Sequence, residues 1–339
     1  MQPLRRMQPQ GRSPRLPLKP LARAMARAMA AAGFLVSPLW LQAAPPANNA
    51  LPTGLQVTAG QASVLTQGNQ MTVRNSNGAI LNWSSFNIGA AAGVYFDQAS
   101  AASKVLNRVT GQDPTQILGS LASNGQVWLL NPNGVLFGAG ARVDVAGLVA
   151  STLRLNDNDF LAGRYRFSAA DGDKGAVRNE GALSTSFGGQ LVLVGARVEN
   201  SGEMNAPGGA VTLAAATQVE LVDTGLPNLA VRVDKPAGEA LNLGRLVADG
   251  GTVDVFGAIV NQNGFVQADT LAVDAQGRVT LKASDTLMLG TGSVTQARGT
   301  AAGSSGGNVD LLGTHVGLAG TATVDVSGTA AGGGIRVGG

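Results

Sequence analysis

The composition of this 339-residue chain is rich in glycine, with 48 residues, and poor in aromatic (4%) and charged (13%) side chains. A compact α/β enzyme ordinarily carries more of both, whereas 44% apolar residues suffice to build a core and argue against a disordered chain. The formal net charge of +3 is misleading, because residues 1–44 contain seven Lys and Arg and no acidic residue. The remainder has 17 basic and 21 acidic residues, a charge of −4, which gives no support to nucleic acid as a partner.

Residues 1–44 are predicted to form a secretory signal peptide. The apolar run from Ala28 to Leu41 follows a basic region and is shorter than the ~20 residues needed to span a bilayer. The small residues Ala43 and Ala44 then offer a cleavage point; an uncleaved anchor is the alternative. The chain contains no cysteine, which fits a protein that crosses the outer membrane unfolded and without covalent loops.

The next segments predict short strands and two brief helical elements. Residues 45–54 are rich in Pro, Ala and Asn and are interpreted as a flexible linker. Apolar residues then alternate between glycines, which is typical of short strands; they are Val57, Val64, Met71, Val73 and Ile80. The Ala-rich stretch 90–103 is compatible with a brief helix, and Pro114 could open a single helical turn that runs to Leu121.

A four-residue turn, Asn131-Pro132-Asn133-Gly134, stands between two apolar strand-like runs. Pro132 presets φ for the second turn position, Asn133 tolerates the third, and Gly134 suits the exit. The pattern predicts a tight type I turn. Three further phrases accompany it in a fixed order: residues 82–89 and 105–111 upstream, and 145–153 downstream.

Together these four phrases resemble the N-terminal secretion domain of filamentous-haemagglutinin-like exoproteins of two-partner secretion, over about residues 55–221. The resemblance implies an all-β, right-handed parallel β-helix with a capped N-terminal end. It also implies an outer-membrane transporter with periplasmic POTRA domains as partner, and a product that is secreted through the periplasm to the cell surface or medium. We expect Asn131, Pro132, Asn133, Gly134, Asn107 and Arg108 to be needed for recognition by that partner. No cofactor and no metal are expected.

Repeats with a period near 20 residues continue the same pattern. Residues 177–181 recur at 198–202, and residues 188–193 recur at 208–213; residues 250–255 lie 42 further on, interpreted as two periods. Units of this size must stack on their neighbours to bury an apolar face. Leucine-rich repeats share the period, but their Leu-x-x-Leu-x-Leu signature is missing. The repeats therefore favour a parallel β-helix with three short strands per coil, in which corner Asn side chains can form ladders.

The predicted domains are a two-partner secretion domain at 55–235 and continuing β-helix repeats at 236–339. Because the sequence stops after a strand-like segment without a cap, we expect a longer exoprotein or a truncated product. The missing repeats would carry adhesive or toxic activity directed at host-cell surfaces or glycans. Residues 160–173 are more polar and are interpreted as a hairpin or loop standing off the main body.

Two alternative functions are a carbohydrate-binding adhesive rod and a β-helix polysaccharide lyase or hydrolase. The enzyme is disfavoured because His315 is the single histidine and the acidic residues are scattered. Residues 156–159, Asn-Asp-Asn-Asp, have oxygen ligands but lack the Gly and Glu of a calcium loop, so a loop or helix cap is preferred. Five aromatic residues could form an exposed sugar-binding strip, although a cover over the end or flank of the β-helix is favoured; they are Trp83, Phe86, Tyr95, Phe96 and Trp128.

Overall fold

The computed structural model describes residues 44–173, 175–223, 229–271 and 276–339. Nearly all of the predicted signal peptide therefore lies outside the described residues. The first strands are β1 (Gln56–Ala59), β2 (Ala62–Gln67), β3 (Gln70–Asn75), β4 (Ala79–Trp83), β5 (Gly93–Asp97), β6 (Lys104–Val109), β7 (Thr115–Ile117), β8 (Ser120–Ser123), β9 (Gln126–Leu130), β10 (Val135–Phe137), β11 (Arg142–Ser151) and β12 (Arg154–Leu155), followed by the helix α1 (Asp157–Leu161).

The later strands are β13 (Tyr165–Ser168), β14 (Ala176–Asn179), β15 (Ala182–Gly195), β16 (Arg197–Asn200), β17 (Glu203–Asn205), β18 (Ala210–Asp223), β19 (Leu229–Pro236), β20 (Glu239–Asn242), β21 (Arg245–Val247), β22 (Thr252–Gln262), β23 (Phe265–Gln267), β24 (Arg278–Leu289), β25 (Val294–Gln296), β26 (Asn308–Leu312), β27 (His315–Leu318), β28 (Thr323–Asp325) and β29 (Gly334–Val337). Among the described residues, no helix has the length and hydrophobicity needed to cross a membrane.

The strands wind into coils with three faces, and each strand pairs in parallel with the equivalent strand of the next coil. The first face contains β3, β5, β8, β11, β15, β17, β21, β23, β25 and β28. The second contains β4, β6, β9, β18, β26, β29 and parts of β11, β15, β22 and β24. The third contains β7, β10, β14, β16, β20, β27 and the ends of β22 and β24. The predicted right-handed parallel β-helix is confirmed.

Alternation along each strand sends every second side chain into the interior, where it stacks on its equivalent in the next coil. One such column runs through Leu191, Val211, Val253, Val279 and Val309, all fully buried. Because no single coil could bury these side chains alone, the stacking supplies the core.

The repeated Gly-Gly phrase marks a corner where successive backbones touch. A Cβ on Gly209 would lie 1.7 Å from the carbonyl oxygen of Gly189, and one on Gly251 would lie 2.0 Å from that of Gly209. The same close approach recurs between Gly277 and Gly307. Only residues without a side chain fit this column, which explains why the phrase recurs.

A column of buried amides occupies another corner. Nδ2 of Asn179 donates to Oδ1 of Asn200 at 2.8 Å, and Nδ2 of Asn200 donates to Oδ1 of Asn242 at 2.9 Å. Nδ2 of Asn242 donates to Oε1 of Gln262 at 2.7 Å. The amide of Gln262 ends the ladder by donating to the carbonyl oxygens of Gly264 and Val294. This confirms the predicted asparagine ladder.

The interval of 42 residues corresponds to one coil, not to two periods as the sequence suggested. Val211 pairs directly with Val253, and Asn200 pairs with Asn242. The difference arises because β18 extends beyond the coil and forms an antiparallel hairpin with β19 before the chain returns to β20. The inserted hairpin is nearly one period long, so in the sequence it cannot be distinguished from an extra repeat.

The prediction of helical elements at 90–103 and near Pro114 is wrong. The first segment contains β5, which pairs in parallel with β3 and buries Val94 and Phe96. The second contains β7 and β8, and β7 pairs with β10. Alternating burial on stacked coils outweighs the local preference of alanine for helix.

The segment interpreted as a flexible linker is part of the N-terminal cap. Thr53 forms an antiparallel bridge with Ser85, and the N–H of Gly89 donates to the carbonyl oxygen of Ala50 at 2.9 Å. β1 and β2 then continue along the first coil, antiparallel to β4 and β3. Residues 45–54 therefore cover the open end of the β-helix. They supply hydrogen-bond partners to backbone groups of the first coil, which would otherwise be left without them.

A second, antiparallel sheet lies on the flank of the β-helix and corrects the prediction of a hairpin or loop at 160–173 standing off the body. It contains β12, β13, β19 and the outer part of β18. Its inner side chains build a separate hydrophobic core with the second face of the β-helix. Phe160, Tyr165 and Phe167 all contact Trp128 there, with ring centroids 4.7–6.0 Å apart. Nζ of Lys104 closes one end by donating to Tyr165 at 3.0 Å and to Asp223 at 3.2 Å.

Four of the five aromatic residues are buried, so they do not form an exposed sugar-binding strip. Trp83, Phe86 and Phe96 lie in the main core near its N-terminal end, and Trp128 lies beneath the flanking sheet. Tyr95 alone of the five is partly exposed, at 40%. The preferred interpretation, a cover over the end and flank, fits these positions.

Candidate functional site

Residues 131–134 form the tight turn that the sequence predicts. The N–H of Gly134 donates to the carbonyl oxygen of Asn131 at 3.0 Å and closes the turn. The N–H of Asn131 donates to the carbonyl oxygen of Ser151 at 2.9 Å. Pro132 is half-buried and Asn133 is exposed. The turn leads from β9 to β10 and changes the chain from the second face of the β-helix to the third.

The Asn131 side chain joins this turn to the preceding coil. Its Nδ2 donates to the carbonyl oxygen of Asp113 and to Oγ1 of Thr115, both at 3.0 Å. Its Oδ1 accepts the backbone N–H of Asn133 at 3.0 Å. Asn131 is 0% exposed, so its amide is satisfied entirely within the folded chain.

Asn133 and Gly134 are held between neighbouring coils. Nδ2 of Asn133 donates to the carbonyl oxygen of Gly111 at 2.9 Å, and the N–H of Thr115 donates to Gly134 at 3.0 Å. On the other side, a Cβ on Gly175 would lie 2.4 Å from the carbonyl oxygen of Pro132. The turn is therefore an integral contact between three successive coils.

Asn107 lies in the interior, one strand away from this turn. Nε1 of Trp83 donates to its Oδ1 at 3.0 Å, and its Nδ2 donates to the carbonyl oxygen of Trp128 at 3.3 Å. The side chain is 0% exposed. It thus links β4, β6 and β9 inside the N-terminal core.

Arg108 points outward and fastens the flanking segment to the β-helix. Its Nη2 donates to the carbonyl oxygen of Leu155 at 2.8 Å and forms an ion pair with Asp157 at 2.5 Å. Its Nη1 reaches Oδ1 of Asn82 at 3.4 Å.

Asp157 stands in the first turn of α1, whose N-cap is Asn156. The helix-cap interpretation of residues 156–159 is confirmed, because Oδ1 of Asn156 accepts the N–H of Asn158 at 2.9 Å.

An open cleft of about 1150 Å³ lies between these elements and the flanking sheet. Three of the six predicted site residues line it: Arg108, Pro132 and Asn133. Its walls also carry Arg154, Asn156, Asp157, Asn158, Asp159, Arg166, Gln218 and Asp234. The lining is polar and contains both signs of charge. Asn107, Asn131 and Gly134 do not reach this cleft, so the structure divides the predicted site into a buried half and an exposed half.

Arg154, which lines the cleft, forms a two-point ion pair with Asp173. Nε and Nη2 of Arg154 donate to the two carboxylate oxygens of Asp173 at 2.9 and 2.8 Å. These bonds lower the pKa of Asp173 and raise the pKa of Arg154. Within the part of the chain that the structure describes, no group of three or more acidic or histidine side chains is arranged to hold a metal ion.

The partners of the predicted residues could not be predicted from the sequence. Asp157, Leu155 and Asn82 meet Arg108 from positions up to 49 residues away, and Asp113 and Gly111 meet the turn through backbone oxygens. Backbone acceptors leave no signal in a sequence. The polar run at 156–159 was the one visible hint.

A parallel β-helix with an antiparallel N-terminal cap, a corner Asn-Pro-Asn-Gly turn and a flanking sheet defines a capped solenoid domain. The sequence profile of the TPS secretion domain matches residues 48–240. The chain belongs to this family of two-partner secretion domains. Proteins with this domain are secreted across the outer membrane with the help of a cognate transporter, and the family is not a family of enzymes.

Comparison with known proteins agrees with this assignment. A heme/hemopexin-binding protein of Haemophilus influenzae is 39% identical over 164 residues, which cover 46% of this chain and 18% of that protein. The crystal structure of the HMW1 secretion domain from the same species is 32% identical, with a TM-score of 0.77 over 82% of this chain and 74% of that one. The filamentous hemagglutinin secretion domain shares the fold at 17% identity, with a TM-score of 0.53 over 85% of this chain and 99% of that one.

Proposed function

We propose that residues 55–235 are the secretion module of an exported surface protein, and that its cognate transporter recognises them through periplasmic POTRA domains before they fold. The transporter would recognise the Asn-Pro-Asn-Gly segment while the chain is extended or partly folded. Folding outside the cell would then bury the stacked apolar faces and give export its direction. Because the match covers 18% of the heme/hemopexin-binding relative, the proposal is confined to secretion.

The observation that carries this proposal is the complete burial of Asn131. Its amide donates to Asp113 and Thr115 and accepts from Asn133. A folded domain leaves no polar atom of this side chain for a partner to contact, whereas an unfolded chain exposes all of them. Recognition that depends on Asn131 must therefore precede folding.

The test separates recognition from stability by comparing two equally buried asparagines. Asn131→Ala and Asn200→Ala both remove an amide that is 0% exposed and hydrogen-bonded on several sides. We expect both to destabilise the folded domain, but only Asn131→Ala to reduce transporter-dependent secretion by tenfold or more. Equal secretion of the two variants, at equal loss of stability, would show that the turn is structural alone.

A second measurement distinguishes recognition before folding from recognition of the folded cleft. Binding of purified POTRA domains is measured to the chain held unfolded in urea and to the refolded chain. We expect binding to the unfolded chain and its loss in Asn131→Ala. Binding to the refolded chain that is abolished by Asn133→Ala, a change at an exposed cleft residue, would contradict the proposal.

A further inference from the structure

The N-terminal cap presents an unusual edge strand. β2 pairs with β3 along its whole length, from Ala62 opposite Asn75 to Gln67 opposite Gln70, and with no other strand among those that the structure describes. Its second edge therefore carries backbone N–H and C=O groups without a strand partner. Such an edge is a template for pairing with another chain.

This edge lacks the features that usually prevent pairing. Natural edge strands carry charges, proline or a bulge, but β2 reads Ala-Ser-Val-Leu-Thr-Gln and pairs with β3 without a register shift. No Asp, Glu, Lys or Arg occurs from residue 44 to residue 73. The first charged side chain is Arg74, which forms an ion pair with Asp97 at 2.8 Å.

Apolar side chains are exposed on both faces of this edge. Leu65 is 59% exposed and Val64 40% exposed. The strand register places Leu65 opposite Thr72, and Thr72 opposite Tyr95, so Leu65 and Tyr95 lie on the same outward face. The exposed area therefore extends from the edge strand onto the neighbouring coil.

We propose that β2 pairs antiparallel with β2 of a second copy of this chain, joining two β-helices at their N-terminal ends. In a two-fold contact the residue on the axis meets its own equivalent, while every other residue i meets a residue j and j meets i, so a charge at the axis would meet a like charge. The absence of charge over residues 44–73 makes this surface compatible with itself. A two-fold axis perpendicular to the sheet keeps outward side chains outward, and Leu65 then packs against Leu65 of the partner subunit.

The first test is the oligomeric state. The chain is expressed with its own leader, purified after export, and studied by sedimentation velocity over a hundredfold range of concentration. We expect a monomer–dimer equilibrium, weakened at least tenfold by Leu65→Lys, which brings two like charges together. The control is Leu318→Lys on β27, a position 51% exposed at the other end of the β-helix, which should leave the equilibrium unchanged.

The second test uses the natural absence of cysteine. Leu65→Cys is expected to form a disulfide-linked dimer under mild oxidation, whereas Leu318→Cys remains monomeric. Equal cross-linking of both variants would indicate random collision and would overturn the proposal. A monomer at every concentration would also overturn it; if Leu65→Lys then reduced secretion, the edge would serve a strand of another protein.

Discussion

Nε1 of Trp83 donates to Oδ1 of Asn107 at 3.0 Å inside the core of the β-helix. The indole of Trp128 offers a contrast, because its N–H is buried and finds no acceptor among the described residues. Both indoles are almost fully buried. The two tryptophans therefore form a matched pair in which one N–H contributes a hydrogen bond and the other does not.

Replacing each tryptophan by phenylalanine measures that bond. Trp83→Phe leaves the buried Oδ1 of Asn107 without its donor, whereas Trp128→Phe removes an N–H that had no acceptor. We expect the first change to lower the free energy of unfolding by about 1–3 kcal/mol more than the second. The measurement is urea unfolding followed by circular dichroism; equal losses would contradict the prediction.

The amide ladder predicts a large effect at Asn200. Asn200→Ala removes the acceptor of Asn179 and the donor to Asn242 in one step. Each buried group left unsatisfied costs about 1–3 kcal/mol, so we expect a loss of that order or larger in the free energy of unfolding. Asn205→Ala, at a half-buried position on β17, should change it by less than about 0.5 kcal/mol. Similar losses at both sites would show that the ladder is not stabilising.

The glycine column predicts that Gly251→Ala is poorly tolerated. The new Cβ would meet the carbonyl oxygen of Gly209 at 2.0 Å, and two coils would have to separate. We expect a loss of at least about 3 kcal/mol, measured by thermal and urea unfolding. Gly292→Ala is the control, because that residue has a φ of +79° but no heavy atom within 4 Å. The Gly292→Ala variant should lose only about 1–2 kcal/mol of its free energy of unfolding, which is the cost of placing alanine in a left-handed backbone conformation.

The Arg154–Asp173 pair predicts a specific dependence of stability on pH. The pKa of Asp173 is lowered by its bonds to Arg154, so the pair stabilises the fold above the ordinary carboxyl pKa of about 3.9. That contribution is lost as the pH falls through the lower pKa of the folded state. Asp173→Asn should therefore be less stable than the parent at pH 7, and the difference should shrink below about pH 4. Urea unfolding of both proteins at pH 7 and at about pH 3 measures this difference in the free energy of unfolding; a difference that does not shrink at the lower pH would contradict the prediction.

The features that sequence reasoning predicted correctly are those carried by local phrases. The turn at Asn131–Gly134 needs Pro and Gly at set positions, and the corner Asn residues recur at a visible interval. Inward columns such as Val211 and Val253 follow from alternation with turn signals. The fold class was therefore accessible from one sequence.

The features that it missed depend on contacts between distant segments. The segment 90–103 looked helical because alanine favours helix locally, while the parallel pairing of β5 with β3 is invisible in sequence. For the aromatic residues the sequence favoured a cover over the end or flank of the β-helix, but no periodicity showed which core each of them joins. Trp128 is buried by a sheet that forms from residues 154–236. For the same reason the sequence did not show that the predicted site has a buried half and an exposed half. The burial of Asn131 depends on Asp113 and Thr115 in the preceding coil.

The contact between Lys104 and Asp223 spans 119 residues, whereas most coil contacts join segments 20 to 42 residues apart. If the chain emerges from the transporter with its N-terminus first, each coil finds its template already formed. The cover over Trp128, however, has to wait until Asp223 has emerged. Loop-closure entropy makes such distant contacts slow to form. The face around Trp128 would thus stay open to water for the longest part of emergence, which makes it the place where a chaperone, a protease or a second unfinished chain would have the longest time to bind.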